Sequence, residues 1–434
     1  MAITNVSTTP APTTATAPAT SNKVALTVVT TLFFMWGFIT VLNDVLVPHL
    51  KSIFDLSYAK VMLIQFAFFT AYFIFALPWA KVVDKVGYKM TMVLGLLTMG
   101  VGAFLFIPAA SAASYPLFLG ALMVLAGGMT ALQVAANPYV AVLGPPDTAS
   151  SRLNLAQAFN SLGTTIGPYL GGMVILTAAP KAMEVVRQMS TEARQVYSVH
   201  EASSVKLPYM VIGLVLIAMA ISIAMFKLPA MPGVEKHGKI KGESIWKHSH
   251  LILGAVGIFV YVGAEVSIGS FLINYFGQPN IGNLLEVQAA KYVSFYWGGA
   301  MVGRFLGSAI LQKLRTGTVL GIAGLAACVL VLTSMLSVGQ VAMWSIILVG
   351  FFNSVMFPSI FTLGIAELGP LTGDGSGLLI MAILGGALVP FAQGWLADHI
   401  GIHHAFILPA ICYLYIVYYA FKGSKPKPFV AAVA

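Results

Sequence analysis

Charge is scarce in this 434-residue chain: Asp, Glu, Lys and Arg make up 9% of it, against 58% apolar residues. A soluble chain of this length needs roughly a quarter of its residues charged to cover its surface, so a water-exposed globular fold is excluded. Cysteine is scarce too, with only Cys328 and Cys412, both inside apolar runs, where a thiol packs as a small hydrophobe. Neither a disulfide framework nor a metal site can be read from them. The sequence has no Walker loop, no His-Glu-x-x-His and no nucleophile elbow, and His403-His404 falls at the edge of an apolar run. These absences argue against an enzyme, against a resident cofactor or metal, and against ATP as the energy source.

What the chain has is long, continuous apolar stretches and 42 glycines, with a mean hydropathy of +0.89. In a bilayer every backbone polar group must be satisfied internally, so the fold is all-helical or a closed barrel. The runs do not alternate as barrel strands do. At about twenty residues per crossing, twelve transmembrane helices are expected, beginning near Val24, Ala59, Met90, Tyr115, Arg152, Pro208, Leu251, Ala289, Thr318, Ala342, Gly375 and His403. A polar interval over 229–250, with Lys236, Lys239, Lys241 and Lys247, separates six helices (23–228) from six more (251–422). Residues 1–22, rich in Thr, Ala and Pro and free of charge, read as a disordered tail, and 423–434 as a second tail. The formal net charge of +9 lies in loops and implies a bilayer rather than a nucleic acid as partner. Lys and Arg gather on the side of Lys23, Lys81, Lys85, Lys89, the central lysines and Lys422, which sets both termini in the cytoplasm. The external loop 178–207 is expected to hold a short interfacial helix.

The halves resemble each other. Leu162-Gly163, Pro168, Tyr169 and Gly172 return 222 residues later as Leu384-Gly385, Pro390, Phe391 and Gly394, and Pro138 maps near Pro358. Two copies of a six-helix unit are implied, related by an axis along the membrane normal.

Against this background the polar residues inside spans are informative, because a charge in hydrocarbon costs several kcal/mol and usually faces a cavity. Asp44 lies in span 1 and Glu265 in span 7, at matching places in the two halves; both are candidates for cation coupling, with a sodium ion, if that is the coupled ion, near Asp44. Glu265 is open to a second reading, as one partner of a structural ion pair with Arg304 of span 8, itself a gating candidate. Gln133 and Asn137 share one face of span 4, and Asn154, Gln157, Asn160 and Thr164 one stripe of span 5. Such stripes can glue helices. Amides also donate to and accept from hydroxyls, so Gln133, Asn137, Gln157 and Asn160, with Asn43, Glu265 and the rings of Trp36 and Tyr261, suit a hexose. Between spans 2 and 3, Asp84-Lys85-Val-Gly87-Tyr-Lys89 offers a carboxylate able to cap a neighbouring helix N-terminus and release it as the halves rock.

From about Val24 to Phe421 the chain resembles the major facilitator superfamily, the Asp84–Lys89 loop matching its signature. More narrowly, Phe34-Met-Trp36-Gly37-Phe38-x-Thr40-x-Leu42-Asn43-Asp44, Ala135-Ala136-Asn137-Pro138 and Arg152-Leu-Asn154-Leu-Ala-Gln157-x-Phe159-Asn160-Ser161 are similar to the fucose, galactose and glucose cation symporters. The resemblance implies a twelve-helix, alternating-access symporter of the cytoplasmic (inner) membrane that takes up a hexose with H+ or Na+, and is taken here as a monomer. It links the aspartate at Asp44 to proton coupling. Where the fucose branch has a span 4 glutamate, a span 7 glutamine, a span 7 tryptophan and a span 10 tyrosine, this chain has Gln133, Glu265, Gly269 and Phe357. Those departures bring it nearer the glucose and galactose permeases, with fucose and N-acetylglucosamine as alternative substrates and a non-transporting sugar sensor as the alternative function.

Overall fold

The computed structural model describes residues 19–54, 58–112, 114–175, 206–231 and 244–426, with 188–190, 193 and 197; for 19–22, 42–54, 58–62 and 168–175 it describes the backbone alone. The expected interfacial helix of 178–207 and most of the central linker therefore lie outside the described residues.

Everything regular among the described residues is helical: α1 Ala19–Phe54, α2 Tyr58–Ser111, α3 Tyr115–Val142, α4 Ala149–Ile175, α5 Lys206–Met225, α6 Ser249–Phe276, α7 Glu286–Ile310, α8 Thr316–Leu336, α9 Gly339–Asn353, α10 Met356–Gly364, α11 Thr372–Met381, α12 Gly385–Ile400, α13 Ile402–Ala405 and α14 Ile407–Tyr418, with short 3-10 and π turns between. Nine stretches among the described residues are long and apolar enough to cross a membrane. The first helix begins at Ala19, inside the segment expected as tail. Pro18 closes the proline-rich run there, and no proline interrupts the chain until Pro48.

As one straight rod the 54 residues of α2 would reach about 80 Å, far beyond a hydrocarbon core of about 30 Å. Gly87 resolves this. Its φ of 78° and ψ of 169° break the helix in a conformation that side chains with a Cβ avoid, leaving two lengths that are each sufficient to cross.

The repeated Leu-Gly pair has a packing cause. A Cβ on Gly163 of α4 would collide with the Phe34 carbonyl of α1, and a Cβ on Gly385 of α12 would collide with the Phe259 carbonyl of α6. Small residues let helix backbones approach in this way where no hydrophobic drive separates protein from lipid. The same device thus joins α1 to α4 and α6 to α12.

Contacts between the N-terminal helices (α1–α5) and the C-terminal ones (α6–α14) gather at one end. Ser151 Oγ donates to Ser308 O at 2.6 Å, Asn154 Nδ2 to Arg304 O at 2.7 Å, Ser376 Oγ to Val134 O at 2.8 Å, and Ser150 Oγ lies 2.9 Å from Thr316 Oγ1. Furthest from that end on α4 and α7, Thr165 Oγ1 meets the Met301 sulfur at 3.4 Å. The ladder is held mainly by hydroxyls and amides, bonds worth individually about 1 kcal/mol.

Candidate functional site

Breaks in the C-terminal helices organise one wall of the site. α9 stops at Asn353 and α10 restarts at Met356, which leaves carbonyls of the last turn without intrahelical partners. The freed Asn353 carbonyl accepts from the Tyr261 hydroxyl of α6 at 3.0 Å. The Asn353 side chain donates through Nδ2 to Tyr296 OH (2.9 Å, α7) and accepts through Oδ1 from Tyr413 OH (2.8 Å, α14), and Tyr296 OH in turn donates to the Glu265 carbonyl at 3.4 Å. One fully buried asparagine, through its backbone carbonyl and its side-chain amide, thereby fixes three aromatic hydroxyls from three helices around Glu265.

The Glu265 carboxylate lies beside the Tyr261 hydroxyl one turn earlier on α6. Its Oε1 stands 3.9 Å from Arg304 Nη2, with the two side chains 13% and 16% exposed, and has no hydrogen-bond donor among the described residues. That spacing gives attraction without a formed hydrogen bond. Arg304 is engaged on the far side as well: its Nη1 donates to Ser161 Oγ on α4, while its carbonyl accepts from Asn154. The geometry is that of a carboxylate near Arg304 whose Oε1 accepts no hydrogen bond from the described residues.

The amides of the N-terminal half do not form one continuous face. Gln133 Nε2 donates to Tyr72 OH at 2.8 Å, and Trp36 reaches the same hydroxyl. Gln157 Nε2 lies 3.5 Å from Asn137 Oδ1, and Asn160 Nδ2 donates to the Phe33 carbonyl at 3.0 Å. Asn154, on the same stripe, turns instead to α7. Asn137 is fully buried and its Nδ2 has no partner among the described residues, a desolvated donor that costs about 1 to 3 kcal/mol unless something accepts from it. The Trp36 ring packs on Phe33, centroids 5.6 Å apart. Asn43 and Asp44 lie on α1, but their side chains are outside the described residues.

At the gathered end, Asp84 Oδ1 comes within 2.9 Å of where a Cβ on Gly373 would stand, in the first turn of α11. The carboxylate therefore sits at a helix N-terminus, where the backbone dipole favours negative charge. Lys89 Nζ donates to Ala224 O at 2.8 Å, against the last turn of α5, where the dipole favours a cation. Lys85 is exposed.

The sequence reading missed Tyr72, Tyr296, Asn353 and Tyr413. Asn353 carried a signal, since an amide within Gly350-Phe-Phe-Asn353 needs a partner in hydrocarbon. The tyrosines carried none, because their partners lie 57 to 61 positions away. Gly269 has a structural complement: a Cβ there would come within 2.8 Å of the Trp297 ring, so an indole from α7 takes the room that Gly269 leaves on α6. Among the described residues no group of three His, Cys, Asp or Glu side chains is placed to hold a metal.

Residues 25–383 match the family model described as Major Facilitator Superfamily. The chain is 52% identical over 402 residues to a glucose/galactose transporter of Brucella abortus, covering 92% of this chain and 94% of that one. It is 35% identical over 398 residues to the L-fucose-proton symporter of Escherichia coli, covering 90% of each. A crystal structure of a superfamily transporter in the outward conformation superposes with a TM-score of 0.86 at 34% identity, covering 92% of this chain and 98% of that one.

Proposed function

The chain belongs to the major facilitator superfamily, in the branch that holds glucose/galactose transporters and fucose symporters, and on that premise we propose that it takes up a hexose of the glucose/galactose type with a proton or a sodium ion. It is a secondary active transporter rather than an enzyme, and it works by alternating access.

One observation carries the assignment of the site. Two buried polar atoms, Asn137 Nδ2 in the N-terminal half and Glu265 Oε1 in the C-terminal half, lack hydrogen-bond partners among the described residues, one a donor and the other an acceptor. A sugar hydroxyl is both donor and acceptor and satisfies either. Gln133, Gln157, Asn160 and Tyr261 supply further amide and phenol groups, Trp36 a ring face, and Asn43 completes the set from α1. Asp44 carries the coupled ion. Glu265 binds sugar in preference to the ion, because Asp44 suffices for one cation.

In this reading twelve crossings form two six-helix bundles, 23–228 and 251–422, and both termini are cytoplasmic. The gathered end is then the cytoplasmic one, and the conformation opens outward. Asp84 and Arg304 hold that end shut, while Lys85 and Lys89 flank the Asp84 turn, Lys89 pinning it to α5. Arg304 links it to the sugar: its Nη2 faces Glu265 and its Nη1 holds Ser161 of the other half, so a hydroxyl that engages the carboxylate alters the pull on the same guanidinium that ties the halves. The protein acts as a monomer in the inner membrane.

Counterflow in proteoliposomes tests the function. Vesicles loaded with unlabelled glucose should transiently accumulate labelled glucose, with galactose competing better than fucose or N-acetylglucosamine. Binding without exchange would mean a sensor, and stronger competition by fucose would overturn the choice of sugar.

A further inference from the structure

The turn at Gly87 has a double at Gly401. Asp84-Lys85-Val86-Gly87-Tyr88-Lys89 and Asp398-His399-Ile400-Gly401-Ile402-His403 share the order acid, base, aliphatic, glycine, any residue, base. Their glycines share a backbone conformation, φ 78° and ψ 169° at Gly87 and φ 81° and ψ 151° at Gly401. Each turn follows an apolar span, 58–86 for the first and 372–400 for the second, the latter made of α11 and α12 with a 3-10 turn between them, and the two spans run in opposite directions where they meet. A Cβ on Gly373 would meet Asp84, one on Gly377 would meet Ala80 at 2.7 Å, and one on Gly386 would meet the Phe69 ring at 2.6 Å. Residue 84 thus faces 373, 80 faces 377 and 69 faces 386. Carried on at the spacing of the first two pairs, 66 would face 391, 63 would face 394 and 59 would face 398. Gly373 is the second residue of α11, and position 59 is the second residue of α2.

We infer that Asp398 is a gating residue reciprocal to Asp84: when the end that is open here closes, the Asp398 turn seats against the first turn of α2 as the Asp84 turn now seats against the first turn of α11. The inference rests on the alternating-access reading and adds what closes the second end. The two faces that would meet are uncovered in this state. Leu63, Phe66 and Phe391 are 46%, 53% and 78% exposed, and Asp398 is exposed. Small residues stand four positions before each aspartate, Ala80 before Asp84 and Gly394 before Asp398. Each helix of the pair therefore carries one latch and one receiving turn, so closing one end parts the other.

Cross-linking between Leu63→Cys and Gly394→Cys, with Cys328 and Cys412 replaced by Ala, reads closure of that end in membranes. The rate should rise when galactose is added. Asp398→Asn should lower it roughly twofold to fivefold, the range expected for a carboxylate at a helix start, and Asp84→Asn should raise it by a similar factor. The double variant should return near the parent rate, a compensation that a merely structural role for either aspartate does not produce. A rate raised by Asp84→Asn but unmoved or also raised by Asp398→Asn overturns the reciprocal latch alone. A parent rate that ignores galactose overturns the alternating-access reading together with it.

Discussion

Glu265→Gln separates the two duties open to the carboxylate that faces Arg304. Glutamine keeps the shape and one acceptor oxygen and removes the charge. A hydrogen bond to a charged group is worth about 1.5 to 3 kcal/mol and one to a neutral group about 0.5 to 1.5, so the substitution should weaken sugar binding by about 1 to 1.5 kcal/mol, a fivefold to tenfold rise in Kd. Loss of the Arg304 partner adds a stability cost. At 3.9 Å, with both groups partly exposed and the guanidinium still held by Ser161, that cost is nearer about 1 kcal/mol than the 3 to 5 of a fully buried pair. Isothermal titration of glucose and galactose in detergent gives the first quantity, and thermal unfolding of the same sample the second. The dependence of counterflow on pH and sodium should stay as in the parent. Unaltered sugar affinity with a shifted ion dependence would refute the reasoning and move Glu265 from the sugar to the coupled ion.

Asp44→Asn should abolish gradient-driven accumulation while leaving counterflow largely intact, since removing a titrating site uncouples without dismantling the pocket; concentrative uptake by this variant would remove Asp44 from coupling. Gln133→Ala, Asn137→Ala, Gln157→Ala and Asn160→Ala should each weaken glucose binding by about 1 to 3 kcal/mol, roughly fivefold to over a hundredfold. Normal binding with earlier melting would make them helix glue. Asn353→Leu strands the Tyr413 hydroxyl and removes the donor to Tyr296, which keeps its bond to the Glu265 carbonyl, and should lower stability by about 1 to 3 kcal/mol, read as a fall in melting temperature in detergent; a parental melting curve would show that the tyrosine network contributes little.

Much of the fold was legible because lipid leaves so few solutions. Apolar length places helices, and their observed starts fall within a few residues of those expected, Tyr58 for Ala59 and Ser249 for Leu251. The Leu-Gly repeat was legible as a pattern, and its cause, helix backbones meeting at Gly163 and Gly385, needed coordinates. At the site, the sequence identified the groups that hydrocarbon makes costly, Glu265, Arg304 and the amides. It did not tell how wide a stripe is: Asn154 and Asn160 follow one three-residue spacing along α4, yet six positions put them about 120° apart around its axis, and one reaches α7 and the other α1. Helical periodicity sets direction about a single axis, whereas partners depend on how neighbouring axes cross. The Asn353 network was illegible for the same reason, because its tyrosines come from separate helices and look like ordinary packing residues in each.

Uptake of labelled glucose into proteoliposomes under an imposed proton gradient and, separately, an imposed sodium gradient tests hexose–cation symport most directly. Accumulation above the equilibrium level under one of the two gradients, abolished when that gradient is collapsed, is the result expected. Equilibration to the external concentration and no further, under either gradient, would contradict it.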